Sequence, residues 1–157
     1  MEIRLAKPRD ARALAQMSRD FIETGLGWSW KPDRVLGMIR HPETAVLIAS
    51  TRFEIAGFAI MEFHDQHAHL NLLAVKPNLR RRGMGRALLG WLEESARVAG
   101  IASIFLEVRS KNMEARKFYQ SLGYEISKHL EGYYQGKESA VVMVHHLITP
   151  DIAAQRP

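Results

Sequence analysis

Val75-Lys76-Pro77-Asn78-Leu79-Arg80-Arg81-Arg82-Gly83-Met84-Gly85-Arg86 is the stretch on which the reading of this chain turns. Before it, His67 to Val75 is a run of strand character closed by Lys76-Pro77. After it, Met84, Ala87, Leu88, Trp91, Leu92, Ser95 and Val98 recur at helical spacing until Gly100 stops them. The stretch reads as strand, glycine loop, helix. A helix N-terminus presents unpaired N–H groups and the positive end of the macrodipole, which together make an anion site. Gly83 and Gly85, on either side of Met84, let the backbone approach a phosphate with no Cβ in the way. Arg80, Arg81, Arg82 and Arg86 add charge-assisted contacts. The P-loop pattern is excluded, because no Gly-Lys-Ser/Thr follows, and so is the dinucleotide fingerprint, because Leu88 stands where its third glycine belongs. The plainer alternative is an arginine-rich turn capping a surface helix.

Working outward, Ile3 to Ala6 reads as a strand, and Pro8 with Asp10 as N-cap starts a helix through Leu14, Met17, Ser18 and Phe21. Gly25-Leu26-Gly27 breaks it, and Asp33 to Arg40 forms a second helix. Thr44 to Ser50, Ile55 to Phe63 and His67 to Val75 are three strands joined by short turns, which predicts antiparallel hairpins. Past the central helix come a strand over Ile101 to Val108 and a helix over Met113 to Leu122, with Asn112 as N-cap and Gly123 as its stop. Strands over Tyr124 to His129 and Ala140 to Leu147 follow. This order predicts a mixed sheet with helices packed on it.

The chain has 157 residues, a length that predicts one domain with one core. It has no cysteine, which excludes a disulfide framework, a thiol nucleophile and a thiolate metal site. The N-terminal residues lack the apolar core of a secretory signal, and no stretch reaches the length of a membrane span, so a cytoplasmic location is expected, with no membrane contact. The net charge is +5, and its sharpest cluster lies inside the glycine loop. That placement favours an anionic small molecule over nucleic acid.

Arg80-x-x-Gly83-x-Gly85 followed by Arg86-Ala87-Leu88-Leu89 resembles the acetyl-CoA signature of the GNAT N-acetyltransferase superfamily. Leu72 to Pro77 resembles that superfamily's central strand. The series continues through Leu106-Glu107-Val108-Arg109, Asn112 and Phe118-Tyr119-Gln120-Ser121-Leu122-Gly123-Tyr124, and this longer set is similar to bacterial ribosomal-protein alanine N-acetyltransferases. The resemblance runs from Ile3 to Leu147. It implies an α/β (α+β) fold with a mixed, mostly antiparallel sheet, helices on both faces, and splayed strands that form an acetyl-CoA gap. The domain is expected over 1–148, with 149–157 as a frayed tail.

By this resemblance the backbone of Leu73, Ala74 and Val75 pairs with the pantetheine arm, and residues 80–86 hold the pyrophosphate. Glu107 is implied as general base and Tyr119 as the acid that protonates the departing thiolate. Asn112 bonds the pantetheine or only starts its helix. On the residues alone each has a plainer reading: Glu107 could pair with Arg109 or Arg116, Tyr119 could pack beside Phe118, and Asn112 could be only a cap. Strand alternation places His67, His69, Asn71 and Leu73 on one face. Relatives often carry a carboxylate where His69 stands, and histidine changes charge near neutrality, so His69 competes with Glu107 for the role of base. His64, His67 and His69 read as a solvated edge with no metal.

Two aromatic groups are expected to flank the acceptor. One is Trp28 with Trp30, between the first two helices, and the other is Tyr133 with Tyr134, between the last two strands. The tyrosine pair resembles the N-terminus-binding loop of the alanine acetyltransferases, whereas the tryptophans depart from it, and both groups could equally be staples under their loops. The acceptor is thus a primary amine on a peptide N-terminus or on a small molecule. A non-catalytic acyl-CoA-binding module is the third class, and a monomer or homodimer is expected.

Overall fold

The computed structural model describes residues 1–148; the expected tail, 149–157, lies outside the described residues. Seven strands and four α-helices follow one another as β1 (Glu2–Leu5), α1 (Ala11–Phe21), α2 (Pro32–Arg40), β2 (Thr44–Ser50), β3 (Ile55–Phe63), β4 (His67–Val75), α3 (Met84–Val98), β5 (Ser103–Arg109), α4 (Met113–Ser121), β6 (Glu125–Tyr134) and β7 (Glu138–His146). They build a sheet of order β1-β2-β3-β4-β5-β7-β6. Only β4 and β5 run parallel; every other neighbouring pair is antiparallel.

The helices divide between the two faces, as the resemblance implies. On one face Leu88, Leu89, Leu92 and Ala96 of α3 and Tyr119 of α4 pack over Ala59, Met61, Ile104 and Leu106. On the other, Leu14 and Ala15 of α1 and Val35 of α2 pack over Phe58, Ile60, Leu72 and Ala74. Each fully buried leucine or isoleucine contributes on the order of 1.5–3 kcal/mol, so the two layers hold the sheet from both sides. No helix among the described residues is long and apolar enough to cross a membrane.

Strand β4 departs from simple alternation. Ile60 of β3 pairs with Leu72, but the next residue, Met61, pairs with Leu70, so Asn71 bulges out with no partner on β3. Ala68 and Leu70 therefore pack on the α3–α4 side, whereas beyond the bulge Leu72 and Ala74 pack on the α1–α2 side. The expectation that Leu73 shares a face with His67, His69 and Asn71 fails for this reason: Leu73 packs against the α3–α4 core.

Two further local readings change. Asp10 does not cap α1 with its side chain; it accepts the Lys7 N–H at 2.7 Å and pairs with Arg4 at 2.8 Å, which ties the first strand to the turn that follows it. Strand β6 runs on to Tyr134 rather than ending at His129. Gly132, at φ +61°, sits in an irregular stretch of the β6–β7 ladder instead of ending the strand, so Tyr133 and Tyr134 stand on a strand end and not in a loop.

Candidate active site

Strands β4 and β5 pair only at His67–Ser103, Ala68–Ile104 and His69–Phe105. Beyond that rung they separate, and the edge of β4 that faces β5 loses its partner. A cleft of about 470 Å³ opens in the gap. Leu73, Ala74 and Val75 form one wall, and Leu106, Glu107 and Val108 the other. Gly57 makes the β4 side possible: it pairs with Val75, and a Cβ there would stand 2.7 Å from the Ala74 carbonyl oxygen.

The glycine loop closes one end. Arg81 at φ +64° and Gly83 at φ +81° both adopt left-handed backbone, and Gly83 is the N-cap of α3. The Ala87 N–H makes the first helical bond, to the Gly83 carbonyl at 3.0 Å, so the N–H groups of Met84, Gly85 and Arg86 lie ahead of it. The first turn carries no acidic residue to offset the helix dipole. Arg80 Nε donates to the Val75 carbonyl at 3.0 Å, which fixes this guanidinium at the strand end. Arg80, Arg81, Gly83, Met84, Gly85 and Arg86 all line the cleft; Arg82 does not. Phe118 of α4 packs over the loop, and a Cβ on Gly85 would come 3.3 Å from its ring.

Asn112 caps α4 by accepting the Ala115 N–H at 3.1 Å and also lines the cleft. The helix it starts delivers Tyr119, a buried cleft-lining phenol between the rings of Phe118 and Tyr124. Burial pushes the Tyr119 hydroxyl well above the usual phenol range, with Tyr134 adding to the effect, so it stays protonated at neutral pH.

Glu107 points to the other face, opposite Leu106 and Val108. Its carboxylate accepts His69 Nε2–H at 2.6 Å. The Arg109 and Arg116 alternatives fall: Arg109 pairs with Glu138 at 3.1 Å, and Arg116 donates to the Ser110 carbonyl at 2.8 Å. The His69 ring stacks on Phe105 with centroids 4.4 Å apart. His64 and His67 stack on one another at 5.0 Å, and His67 also meets the Phe105 ring at 5.4 Å. Tyr134 lines the cleft, whereas Tyr133 and His69 lie beside it around Glu107. Burial, then the facing Glu107 carboxylate, raise both tyrosine hydroxyls above their ordinary range.

The tryptophans turn inward. Trp30 is buried in the α1–α2 core under the Arg34 guanidinium at 3.7 Å, and Trp28 Nε1 donates to the Ala15 carbonyl at 3.2 Å. Neither lines the cleft. The loop they belong to is held by Glu23, which the sequence reading passed over. Its buried carboxylate accepts the Ser18 hydroxyl at 2.9 Å and the Ser29 N–H and hydroxyl at 2.7 Å each. The α1–α2 loop then meets the β6–β7 turn: Gly27 N–H donates to Gln135 Oε1 at 2.9 Å, and Gln135 Nε2 donates to the Gly27 carbonyl at 3.1 Å. Arg109 adds a bond to the Ile22 carbonyl at 2.7 Å. None of these long-range pairs carries a local signal.

A sheet that splits beside a cation-lined helix N-terminus is the frame of an acyl-CoA-type transferase. The chain matches the acetyltransferase (GNAT) family over residues 12–124, and it belongs to that family. It is 38% identical to the [ribosomal protein bS18]-alanine N-acetyltransferase of Escherichia coli K12 over 93 residues, which are 57% of this chain and 63% of that protein. The match thus spans less than two thirds of that relative. The crystal structure of the ribosomal-protein-S18-alanine N-acetyltransferase from Escherichia coli superposes with a TM-score of 0.80 at 26% identity, over 94% of each chain. An uncharacterized N-acetyltransferase of Methanocaldococcus jannaschii is 30% identical over 145 residues, 92% of this chain and 90% of its own. The PaiA N-acetyltransferase of Thermoplasma acidophilum, solved in complex with coenzyme A, shares the fold with a TM-score of 0.80 at 20% identity, over 92% of this chain and 98% of that one.

Proposed function

We propose that this protein is an acetyl-CoA-dependent N-acetyltransferase that acts on a primary amine at the N-terminus of a peptide or protein. One observation carries the reading. A single cleft is lined from one face by a cation-rich helix N-terminus and a neutral phenol, and from the other by a carboxylate. Family membership and the alanine acetyltransferase relative support it.

Acetyl-CoA, when bound, supplies an acyl group already activated as a thioester. The loop suits its pyrophosphate: three free N–H groups at Met84, Gly85 and Arg86 converge with the Arg80, Arg81 and Arg86 side chains. The β5-facing edge of Leu73, Ala74 and Val75 offers backbone groups to the pantetheine amides, and one of its N–H groups can polarise the thioester carbonyl. Asn112 uses its side-chain oxygen on α4 and keeps its amide N–H groups for the same arm. Tyr133 and Tyr134 flank the amine. Glu107 removes the ammonium proton, because only the free amine is nucleophilic. The nitrogen forms its bond to the acetyl carbon, the C–S bond breaks with its electron pair on sulfur, and Tyr119 gives that sulfur a proton. The proton that leaves the new amide nitrogen restores the phenol.

A small-molecule amine is the second reading, favoured by the reciprocal Gln135–Gly27 pair, which bridges two loops beside the acceptor tyrosines. Labelled acetyl-CoA offered with peptides of varied first residue and with small amines tests both. Acetylation confined to peptide α-amines is the expected result. Turnover of small amines alone selects the second reading, and no transfer to any amine rejects both.

A further inference from the structure

The bonds around Glu107 have one consistent direction. Asn71 Nδ2 donates to Glu62 Oε1 at 2.8 Å and lies 3.4 Å from His69 Nδ1. His69 Nε2 lies 2.6 Å from Glu107 Oε2. A carboxylate only accepts, so the short contact requires the proton on Nε2. Nδ1 is then an acceptor that faces an amide N–H. A flipped Asn71 would oppose its oxygen to the Glu62 carboxylate and is disfavoured. Every contact therefore selects the neutral Nε2–H imidazole, with Phe105 stacked against its face to stop rotation. Asn71 is the bulge residue, without a partner on β3, and its side chain lies beside His69.

We propose that Asn71 and His69 are positioning residues that act through Glu107. They hold one oxygen of its carboxylate and aim the other at the amine. This rests on Glu107 being the base in the function proposed above. The rest of the surroundings are Glu62 and His64 from the β3 side, His67 on β4, Tyr133 and Tyr134 on β6, Arg109 on β5 paired with Glu138 on β7, and Arg34 on α2. Tyr133 faces the carboxylate as a further hydrogen-bonding hydroxyl from β6, and His69 makes the 2.6 Å contact from β4.

The test has two arms. In ¹⁵N NMR of the imidazoles, His69 of the wild type should be the Nε2–H tautomer, and Asn71→Leu should weaken that preference; an Nδ1–H tautomer in the wild type overturns the proposal. In steady-state kinetics, His69→Ala should lower kcat by about ten- to hundred-fold, the worth of one hydrogen bond to a charged group, with the KM for acetyl-CoA unchanged. His69→Gln places an N–H donor where Nε2 stands, so it should restore most of kcat. Equal loss in both variants overturns the proposal. Should the wild type acetylate no amine, the functional reading falls, and the NMR arm alone decides the hydrogen-bond chain.

Discussion

Glu107 and Tyr119 reach one cleft from opposite faces of the sheet: Glu107 from the side covered by α1 and α2, Tyr119 from the core of α3 and α4. This is possible only because β4 and β5 part beyond His69 and Phe105. In the proposed reaction this keeps the proton acceptor and the proton donor on opposite sides of the cleft.

Replacing Glu107 with Gln keeps the shape and removes the carboxylate proposed as the base. Turnover should fall by about 10²-fold or more at neutral pH, and raising the pH should recover part of it, because free amine then forms without help. The pH dependence of kcat/KM for one acceptor checks this. A rate equal to wild type at every pH would leave Glu107 with no part in proton transfer.

Tyr119→Phe deletes one hydroxyl at a buried position held by aromatic neighbours, so the fold should persist. If the phenol protonates sulfur, turnover drops by about 10²-fold while acetyl-CoA affinity barely moves. Rapid-quench measurement of the chemical step separates this from slow product release.

Gly85→Val brings a branched side chain against Phe118, since the first carbon alone would stand 3.3 Å from that ring. The phenyl tip has to swing into the cleft or away from α3. Calorimetry should find acetyl-CoA binding weakened by at least tenfold in a protein whose circular dichroism is unchanged. Undiminished affinity would move the phosphate site elsewhere.

Glu93, on the far side of the sheet from Glu107, is buried, 3.4 Å from His145, with one oxygen unpaired. Burial, only partly offset by His145 and Arg97, raises its folded-state pKa. A carboxyl that holds its proton more tightly when folded destabilises the native state as pH rises through the unfolded value near ~4.5 and beyond, and has no effect below it. Glu93→Gln should therefore raise Tm at pH 7–8 by roughly 2–4 °C for each kcal/mol gained, and the gain should vanish below pH ~4. Thermal melts across that range check the sign.

Much of this was legible in the chain because it is local. The glycine loop, the α3 stripe from Met84 to Val98 and the Asn112 cap each rest on residues within a few positions of one another. What escaped is decided by partners far along the chain. Asn71 looks like any strand residue until Ile60 and Met61 set the register against it. In the sequence Glu107 and His69 are rivals for one role, and only the parallel rung beside Phe105 reveals them as bonded to each other. For Trp28 and Trp30 the chain leaves acceptor wall and staple equally open; Glu23 and α1, which draw them inward, decide for the staple. Gly132 signals a break, but β7 keeps its strand paired up to Tyr134.

The bulge at Asn71 makes strand β4 a chain of two parities. In an uninterrupted strand, odd and even positions keep their sides for its whole length. Here the count restarts, so one extra residue lets a single strand present His69 and Asn71 on the Glu107 side and then turn Leu73 toward the opposite layer. Removing Asn71 would close the ladder into plain alternation, with Leu70 and Leu72 still beside Met61 and Ile60 and every other side chain on its present face, and would take away only the unpaired residue beside His69. The cleft wall is in this sense built on a phase defect in the sheet, and one unpaired residue sets the parity of the positions that face each layer.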